Sequence, residues 1–479
     1  RLDGLPLAIE LAATRAKVLT PEQMLPRLQE CLAILSSGHK NLPERQRTLR
    51  GAITWSHELL DPAERGLFAR LSVFTGGWTL ESAEAVCGPD GLGLDVLDGL
   101  SSLVDQSLIR RSDSDDGEPR FSMLETIREF GLEQLTVGGE RDLLHRRHAG
   151  YFLELAVEAE SHLVAEDQGE WLDRCDREHA NIRAALRWAI EAGEVERVQA
   201  SAGALWRFWQ QRGHQAEGRR WLDETLAMPS DKPSPARAKA MIGAGGLAWW
   251  QQDRDAARAS YEGALAIERE LGDPARIGEA LYNLSFVVAG DDIDSAAGML
   301  EEALDLFRRA GDEAGEAQVQ SMLVIRDAEA RNWGPVITRL EDTTAIWRRL
   351  GERLHLGFDL IWLAFAYGRV GRAADARVAG LEALDLFCEV DNPTGIAITI
   401  VDLSWLATWE GRYEDAIRLA GAYESLTQSA GGPPGGFAGL LEGDPTAEAR
   451  PHLSEEVAQR AWEEGLSMSL DEAVAFARG

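Results

Sequence analysis

GRAADA, residues 371–376, returns forty positions later as GRYEDA, residues 411–416. The alanine that ends each stretch belongs to a column of small residues that stand 39 or 40 positions apart, namely Ala257, Ala296, Val336, Ala376 and Ala416. Fifteen positions after each of them comes a member of a second column, made of Gly272, Gly311, Gly351, Asp391 and Gly431. From about residue 236, the sequence therefore repeats with a period close to 40 residues.

Apolar residues recur between the two columns with the i, i+3, i+4, i+7 spacing of one helical face. One such set is Leu300, Ala303, Leu304 and Phe307, and an earlier one is Ile277, Ala280, Leu281 and Leu284. Each unit is therefore predicted to be a helical hairpin. The small residue lies early in the second helix, where only a short side chain lets two helices approach closely. The Gly or Asp that closes the unit suits a left-handed backbone after the helix.

The turns GRAADA and GRYEDA resemble those of the tetratricopeptide repeat, a helical hairpin whose usual period is about 34 residues. Because the period here is longer, hairpins of the HEAT or armadillo kind stay open as an alternative. Gly218 lies 39 residues before Ala257 and indicates a divergent repeat upstream of the regular ones. Stacked hairpins form a solenoid, so we expect residues 236–431 to present a concave surface on which a partner binds.

Seven tryptophans of the repeats could either fill the core or line this concave surface. Several of them fall on the apolar stripe of a predicted helix, which favours the core for most of them. They are Trp249, Trp250, Trp333, Trp347, Trp362, Trp405 and Trp409.

The balance of charge restricts the partners of the chain. Forty-nine basic residues against 80 acidic ones give a formal net charge of −31, which opposes binding to nucleic acid and to anionic membranes over most of the surface. No stretch approaches the roughly 18 to 20 consecutive apolar residues that a membrane span requires. The four cysteines fit neither a zinc site nor a redox motif and are typical of a reducing compartment. We therefore expect a soluble, cytoplasmic protein.

Residues 41–140 have a different pattern. Helices are predicted near 47–60, 62–74, 79–86 and 94–106, followed by two short strands, Leu108–Arg111 and Arg120–Met123. Several helices followed by a hairpin predict a winged helix, a module that often binds DNA. Residues 41–150, however, hold 12 arginines and no lysine against 19 acidic residues, and the tip of the hairpin is acidic. Because a DNA reader needs cations at that tip, we expect this module not to contact DNA.

Two groups of polar residues resemble metal sites only in part. The acidic loop Asp113–Glu118 lacks the glycine and the final glutamate of a calcium-binding loop, so we interpret it as solvated. His145 and His148 share a helical face, but no third ligand is suggested, and a polar helix face is the preferred interpretation. We therefore predict no metal site.

Several stretches, taken in order, resemble the C-terminal portion of STAND signalling ATPases, which carry a nucleotide switch of the NB-ARC type. They are GLPLAIELAATRAKVLTPEQMLPRL from Gly4, LPERQRTLRGAITWSHELLDPAERGLFARLSVFTGGWTLESAEAVC from Leu42, FSMLETIREFGLEQL from Phe121, and then the helical repeats. The likeness is greatest to the large, LuxR-like, ATP-binding transcriptional regulators of bacteria. It covers nearly the whole chain.

The resemblance implies how a nucleotide would be bound. Gly4, Leu5 and Pro6 match the motif whose proline packs on the adenine ring, so they would contact ATP or ADP if a nucleotide-binding domain lies upstream. That domain would carry the phosphate-binding motif GxxxxGK[ST], and none of the four lysines of this chain stands in one. The chain by itself is therefore expected to bind no cofactor and to be no enzyme. An intact parent protein would bind ATP or ADP and would be an ATPase.

One position departs from the family pattern. The family's Met-His-Asp signature aligns with Met123, Leu124 and Glu125, and a leucine cannot make the contact that the histidine makes with the bound diphosphate. The resemblance then implies a differently locked switch, or a branch that does not use this one. We interpret Glu125 as the partner of a nearby cation or as a helix cap.

Together these observations predict an all-α protein: residual lid helices, a winged-helix module with a small β-hairpin, and a tetratricopeptide-like α-solenoid. The predicted segments are a remnant of the helical lid at 1–40, the winged-helix module at 41–140, a helical connector with a divergent repeat at 141–235, the repeats at 236–431, and a flexible loop with a C-terminal helix at 432–479.

The predicted function is that of the regulatory and sensor portion of a STAND-type, ATP-binding transcriptional regulator, with a protein or small-ligand signal bound in the repeat groove. Nucleic acid would be bound only by a domain outside this chain, and no membrane would be involved. Two other functions stay open. One is the regulatory half of an ATPase or nucleotide cyclase whose catalytic domain lies upstream, and the other is a free-standing repeat scaffold for protein–protein interaction.

Overall fold

The computed structural model describes residues 49–89, 91–113, 117–165, 167–230, 232–429 and 444–479. In these residues the chain is all-α apart from a small three-stranded sheet. It divides into two compact units, of which the first comprises the described part of 1–155 together with 177–192, and the second comprises 156–176 and 193–479. The predicted lid remnant at 1–40, with Gly4, Leu5 and Pro6, lies outside the described residues.

The first unit holds the predicted winged helix. Its elements, in chain order, are α1 (Leu49–Glu58), α2 (Pro62–Leu71), β1 (Trp78–Thr79), α3 (Leu80–Cys87), α4 (Val96–Asp105), β2 (Arg110–Asp113), β3 (Pro119–Ser122) and α5 (Glu125–Val137). The strands pair antiparallel in the order β1-β3-β2. Helices α6 (Arg141–His162) and α7 (Gln168–Ala192) follow, and each contributes residues to both units.

Capping chemistry explains where two of these helices start. At α2, the Glu64 amide donates to Asp61 Oδ1 and the Asp61 amide donates to Glu64 Oε2, each at 2.8 Å, while Pro62 occupies the first turn. Thr79 and Ser82 form the same reciprocal pair at the start of α3. These pairs fix the helix starts because they satisfy amides that have no partner within the helix.

Strand β2 begins two residues later than the sequence predicts. Leu108 and Ile109 turn back on α4 instead, and the Leu108 amide donates to the Leu103 carbonyl at 3.0 Å. Ser107 takes a left-handed φ of 57° to make this turn. Because both apolar side chains are buried and both amides are directed to the end of α4, the ladder with β3 starts only at Arg110. Strand β3 also differs from its prediction, by one residue.

The second unit is a stack of helical hairpins. Its helices are α8 (Val195–Ala204), α9 (Trp206–Gln211), α10 (Gln215–Leu226), α11 (Pro235–Trp250), α12 (Arg254–Leu271), α13 (Pro274–Ala289), α14 (Ile293–Ala310), α15 (Glu313–Met322), α16 (Val324–Glu329), α17 (Trp333–Leu350), α18 (Arg353–Arg369), α19 (Ala373–Glu389), α20 (Pro393–Trp409), α21 (Tyr413–Ser429), α22 (Pro445–Ala449), α23 (Glu455–Leu466) and α24 (Leu470–Arg478). The regular repeats pair α11 with α12, α13 with α14, α18 with α19 and α20 with α21. In the third repeat, the first helix is broken into α15 and α16 before α17.

Both columns of the repeat lie where the sequence predicts. Each small residue is the fourth of its helix and is at most 1% exposed: Ala257, Ala296, Val336, Ala376 and Ala416. In four repeats the residue of the second column has a left-handed backbone just after the second helix; these residues are Gly272, Gly311, Gly351 and Asp391. The fifth position, Gly431, lies outside the described residues. The small residue is therefore buried early in the second helix, as predicted, which is where a close helix crossing needs a short side chain.

Gly218 has the same place in the divergent repeat, because it is the fourth residue of α10. A Cβ there would lie 2.5 Å from the Trp209 ring, so α9 and α10 pack only if this residue is glycine.

Residues that precede the regular repeats also contact the fourth hairpin of the array. Arg212 Nη1 lies 3.2 Å from Asp391 Oδ2, and the Arg353 amide donates to the carbonyl of Val164 at 3.3 Å.

The C-terminal part differs from its prediction in two respects. The flexible loop predicted at the start of 432–479 lies outside the described residues up to residue 443, but Asp444 caps the short helix α22 just after them. The single C-terminal helix predicted in the same segment is instead two helices, α23 and α24, because Ser469 and Glu472 build a capping pair that starts a new helix.

Ala376→Leu is expected to lower the free energy of unfolding of the second unit by about 1–3 kcal/mol, because extra carbons at the crossing push α18 and α19 apart. Chemical denaturation followed by circular dichroism measures the effect. Val378→Leu on the same helix is the control, since Val378 is 67% exposed and its replacement should change stability by less than about 0.5 kcal/mol. Equal stability of the two variants would mean that the crossing lies elsewhere.

Candidate binding groove

Helices α11 and α13, the first helices of the first two repeats, line one groove. On α11 the lining residues recur about one turn apart, at Lys239, Ile242, Gly246 and Trp249. From Lys239 to Trp249 they extend along about 15 Å of this helix, at the helical rise of about 1.5 Å per residue. Trp206 lines both ends of the groove. One end is charged, and the other is aromatic.

The charged end, called the charged cleft below, has a volume of about 560 Å³ and is lined by Glu160, Lys239, Glu268, Arg276 and Glu279. Glu160 and Lys239 form an ion pair. Oε2 of Glu268 is buried and has no hydrogen-bond partner among the described residues, and burial raises the pKa of this carboxyl.

Glu279 is the second carboxylate of the cleft without a counter-ion. Its side chain is accessible to water, and it forms no ion pair within the part of the chain that the structure describes. Partial loss of hydration between the surrounding helices, together with the nearby Glu160 carboxylate, raises the pKa of Glu279 to about 6. Glu268 and Glu279 therefore add two carboxylates to the cleft beside the Glu160–Lys239 pair, and the charges of Arg276 and Lys239 act on them from nearby.

The aromatic end, called the aromatic slot below, is lined by Trp249, Trp250, Tyr282, Phe286, Phe358 and Trp362. The rings of Trp249 and Phe286 lie 5.2 Å apart between centroids, and those of Tyr282 and Phe286 lie 5.0 Å apart. Trp250 of the first repeat meets Phe358 of the fourth repeat at 5.9 Å. A Cβ on Gly246 would lie 2.7 Å from the Trp206 ring, so glycine lets that ring lie directly on α11.

Arg207 brings a positive charge into this aromatic slot. Its guanidinium carbon lies 3.9 Å from the centre of the Trp206 ring. Among the described residues, no carboxylate lies within ion-pair distance of Arg207, and burial lowers the pKa of its guanidinium. Glu279 acts on Arg207 only as a more distant charge. The slot thus holds a cation that contacts an aromatic face and forms no ion pair with a described carboxylate.

A buried carboxylate forms one side of the slot. Oδ2 of Asp359 accepts hydrogen bonds from the Ser321 hydroxyl at 2.7 Å, the Thr343 hydroxyl at 2.6 Å and Nε1 of Trp347 at 2.9 Å. Burial raises the pKa of Asp359 to about 6. Because one donor of α15 and two donors of α17 converge on this one oxygen of α18, the third and fourth repeats hold a fixed position beside the slot.

The tryptophan prediction is confirmed for most residues. Five of the seven are at most 9% exposed, namely Trp249, Trp250, Trp347, Trp362 and Trp405. Three of these, Trp249, Trp250 and Trp362, also line the slot, so the same tryptophan can be mostly buried and still face the groove.

Two residues of the groove, Arg207 and Glu279, were not predicted from the sequence. A signal for Arg207 was available, since Trp206-Arg207-Phe208-Trp209 places one cation among three aromatic residues.

In the first unit, a buried asparagine connects the loop after α2 with α7. Asn181 Oδ1 accepts from the Thr75 amide at 2.7 Å, and Asn181 Nδ2 donates to the Gly77 carbonyl at 2.8 Å. The same Oδ1 lies 3.1 Å from Nε2 of His148, which therefore carries the proton. His148 is 3% exposed, so its assignment to a polar helix face is wrong: Phe74 and Phe152 surround its ring.

His148 makes the first unit sensitive to acid. Burial lowers its pKa from 6.5 to about 4, so below pH 6.5 the unfolded chain takes up a proton that the folded unit refuses. The free energy of unfolding should therefore fall by about 3 kcal/mol as the pH drops from 6.5 to 4. Denaturation at several pH values measures this slope, and His148→Gln should lose it. Parallel slopes in both proteins would refute the assignment.

Helix α4 of the winged helix has the sequence VLDGLSSLVD, which contains no basic residue. Residues 114–116 of the acidic hairpin tip lie outside the described residues. Glu125 pairs with Arg128 at 2.6 Å, which confirms its interpretation as the partner of a cation, and this pairing lowers the pKa of Glu125. Leu124 is the residue before α5 and makes no side-chain cap.

Comparison with known proteins gives the winged helix a family. Residues 60–136 match the model of the winged helix-turn-helix domain. Over 385 residues the chain is 32% identical to a protein of Mycobacterium tuberculosis strain H37Rv that is provisionally named an HTH-type transcriptional regulator, an alignment that covers 78% of this chain and 43% of the relative. An uncharacterised protein of the same strain is 36% identical over 150 residues, or 31% of this chain and 38% of that protein. The chain thus spans less than half the length of these curated relatives.

Two solved structures resemble the chain at lower identity. A signal transduction ATPase with numerous domains and a tetratricopeptide repeat sensor, from Pyrococcus horikoshii, is 16% identical with a TM-score of 0.43, covering 97% of this chain and 72% of that one. A Rap protein in complex with competence and sporulation factor is 11% identical with a TM-score of 0.40, and the match covers 67% of this chain and 99% of that one.

Among the residues that the structure describes, no helix combines the length and apolar character needed to cross a bilayer.

Proposed function

We propose that the chain is the regulatory and sensor portion of a STAND-type, ATP-binding transcriptional regulator, and that the groove of its repeats binds the signal. The observation that carries this proposal is the groove itself. It offers a cleft of about 560 Å³ that contains Glu268 and Glu279, and beside it an aromatic slot that shares Trp206 with the cleft and holds the Arg207 guanidinium. Concave sites with an apolar lining and a few convergent polar groups are the usual form of a ligand site.

The winged helix is proposed to relay the signal within the protein and not to read DNA. Its α4 lacks cations, and the chain carries a net charge of −31, so phosphate contacts would be repelled. Nucleic acid would then be bound by a domain outside this chain. The similarity to provisionally named HTH-type regulators supports a role in transcription.

The nucleotide belongs to the parent protein in this proposal. Gly4, Leu5 and Pro6 would contact the adenine only together with an upstream domain that carries a phosphate-binding loop, which this sequence does not contain. The chain alone should therefore neither hydrolyse ATP nor bind it at micromolar concentration in calorimetry. Micromolar binding would contradict the proposal.

The genomic sequence upstream of Arg1 tests the parentage directly. A nucleotide-binding domain with GxxxxGK[ST] supports the proposal, whereas a cyclase domain or a start codon with no domain before it contradicts it. In the whole protein, Phe286→Ala in the slot should change the ATPase rate at least threefold, because the groove is coupled to the switch. Arg309→Gln, on the second helix of a repeat and away from the groove, is the matched control. An unchanged rate in Phe286→Ala would contradict a sensor role of the groove.

A further inference from the structure

Within the second unit, the residues around the turn between α6 and α7 contact the fourth hairpin mainly through polar groups. The Arg353 amide, at the first position of α18, donates to the Val164 carbonyl of this turn. A Cβ on Gly169, the second residue of α7, would lie 3.7 Å from the Glu389 carbonyl oxygen, so the start of α7 lies against the end of α19. Polar contacts of this kind separate more readily than the apolar core that joins consecutive repeats.

Buried amides join this turn to α9. Gln168 Nε2 donates to Gln211 Oε1 at 2.9 Å, and Gln211 Nε2 donates to the Leu163 carbonyl at 3.0 Å. Both glutamines are at most 1% exposed. Residues 163–165, 167–176 and 206–212 therefore form one part, called the array start below.

Arg212 carries the charge that connects the array start to the fourth hairpin. Its guanidinium forms ion pairs with Asp173 and Asp176 of the array start and with Asp391 of the fourth hairpin, the last at 3.2 Å. The Arg212 side chain is 9% exposed, whereas that of Asp391 is 74% exposed. If Asp391 leaves, the two other aspartates still pair with the buried guanidinium and water hydrates the departing carboxylate. Separation therefore leaves no buried charge without a partner.

Asp391 departs from the repeat pattern at the position that Arg212 contacts. The second column has glycine with a left-handed backbone at Gly272, Gly311 and Gly351, whereas Asp391 takes a left-handed φ of 49° with its side chain present. This backbone costs an aspartate more than it costs a glycine. Because the other hairpins close with glycine, closure does not need the carboxylate, and its contact with Arg212 is what the side chain adds.

The third repeat gives the array a place to bend. The first helices of the other regular repeats are continuous over 16 or 17 residues. In the third repeat, α15 ends at Met322 and α16 comprises only the six residues Val324–Glu329. An interrupted helix deforms more easily than a continuous one, because fewer backbone hydrogen bonds cross the break. The array start and the fourth hairpin can therefore separate while each stays folded.

We propose that the array carries a releasable clasp, in which Arg212 and the Val164 carbonyl of the array start hold Asp391 and the Arg353 amide of the fourth hairpin. Release of the clasp bends the array at the third repeat and leaves both sides folded. The clasp belongs to the chain alone and goes beyond the proposed function, which concerns the signal. Only its use as a switch rests on that function.

Hydrogen exchange of the Arg353 amide at single-residue resolution measures the release. Arg353 is the first residue of α18 and has no acceptor within its own helix, so the Val164 carbonyl is what protects its amide. The His355 amide is the internal control, because it donates at 2.8 Å to Glu352 of the same hairpin. Higher salt should speed the exchange of Arg353 but not of His355, since salt screens the ion pair of the clasp. Equal acceleration of both amides would mean that α18 unfolds locally, and it overturns the inference.

Variants of the clasp test its charges. Asp391→Gly restores the glycine of the repeat, so it should speed the exchange of Arg353 about tenfold or more without loss of thermal stability. Arg212→Gln should have the same effect on exchange. Asp305→Asn, which removes one negative charge from an exposed position of α14, is the matched control and should exchange like the unchanged chain.

The two clasp variants support each other. If Arg212→Gln fails to fold, Asp391→Gly decides the point, because it introduces a residue with which the other hairpins already close. Unchanged exchange of the Arg353 amide in a folded Asp391→Gly overturns the inference.

The clasp and the proposed function fail in different ways. If the variants release the clasp, but upstream sequence encodes no nucleotide domain, the clasp stands and the parentage is wrong. If Phe286→Ala changes the ATPase rate of the whole protein, but Arg353 exchanges equally in all variants, the sensor role stands and the clasp is wrong.

Discussion

Replacing Asn181 by alanine is expected to lower the free energy of unfolding of the first unit by about 3–5 kcal/mol. The side chain is fully buried and takes part in four hydrogen bonds, with the Thr75 amide, the Gly77 carbonyl, His148 and Glu178. Alanine would leave these groups without their partner inside the unit, and each such loss costs about 1–3 kcal/mol where water cannot enter.

Chemical denaturation of the chain, followed by tryptophan fluorescence, measures this loss, because Trp78 lies next to the loop that Asn181 holds. Glu191→Ala is the matched control, since Glu191 lies on the same helix with an exposed side chain. It should change stability by no more than about 0.5 kcal/mol. A loss below about 1 kcal/mol in Asn181→Ala would show that water replaces the amide without cost.

Gly465→Ala is expected to destabilise the C-terminal end of the repeat array by about 3 kcal/mol or more. Helices α21 and α23 touch through their backbones, so a Cβ on Gly465 would overlap the Arg418 carbonyl oxygen and lie 2.9 Å from the Ala422 amide nitrogen. Gly421 faces this contact from the other helix, since its Cβ would lie 2.6 Å from the carbonyl oxygen of Trp462. Backbone atoms cannot turn aside as a side chain can, so the helices must separate.

Gly298→Ala separates this steric effect from the ordinary effect of glycine in a helix. Gly298 lies within α14, and a Cβ there would have no neighbour within 4 Å. That change should therefore stabilise the chain by about 0.5–1 kcal/mol, since alanine favours the helix. Thermal unfolding of both variants gives opposite shifts if the contact is as described. A stabilised Gly465→Ala would refute the close packing of α21 and α23.

The repeat architecture could be predicted because it depends on local rules. The columns at Ala376 and Asp391 report helix crossing and left-handed closure, and both are properties of a few neighbouring residues. The start of β2 could not be predicted in the same way. Leu108 turns back because Ser107 adopts a left-handed backbone and the Leu108 amide reaches the Leu103 carbonyl, a helix-ending turn that residues 103–108 do not announce, since they contain no glycine.

The presence of a groove could be predicted from the sequence, but the pairing of the charged residues that line it could not. A solenoid implies a concave face, yet which charges on it remain unpaired depends on residues far apart in the chain. Lys239 forms an ion pair with Glu160. Glu279, one turn before Tyr282, forms no ion pair within the described residues, although the charge of Lys239 acts on it. Arg207 belongs to the divergent repeat, where the repeat period gives no expectation for its neighbours.

The contact between Trp250 and Phe358 constrains how this array can evolve. In an ordinary solenoid each unit contacts only its neighbours, so whole units can be gained or lost. Here the first repeat contacts the fourth repeat. The insertion or deletion of one hairpin between them would rotate the two rings out of contact. The number of units between these rings is therefore fixed by geometry, and relatives that keep both aromatic residues should also keep two hairpins between them.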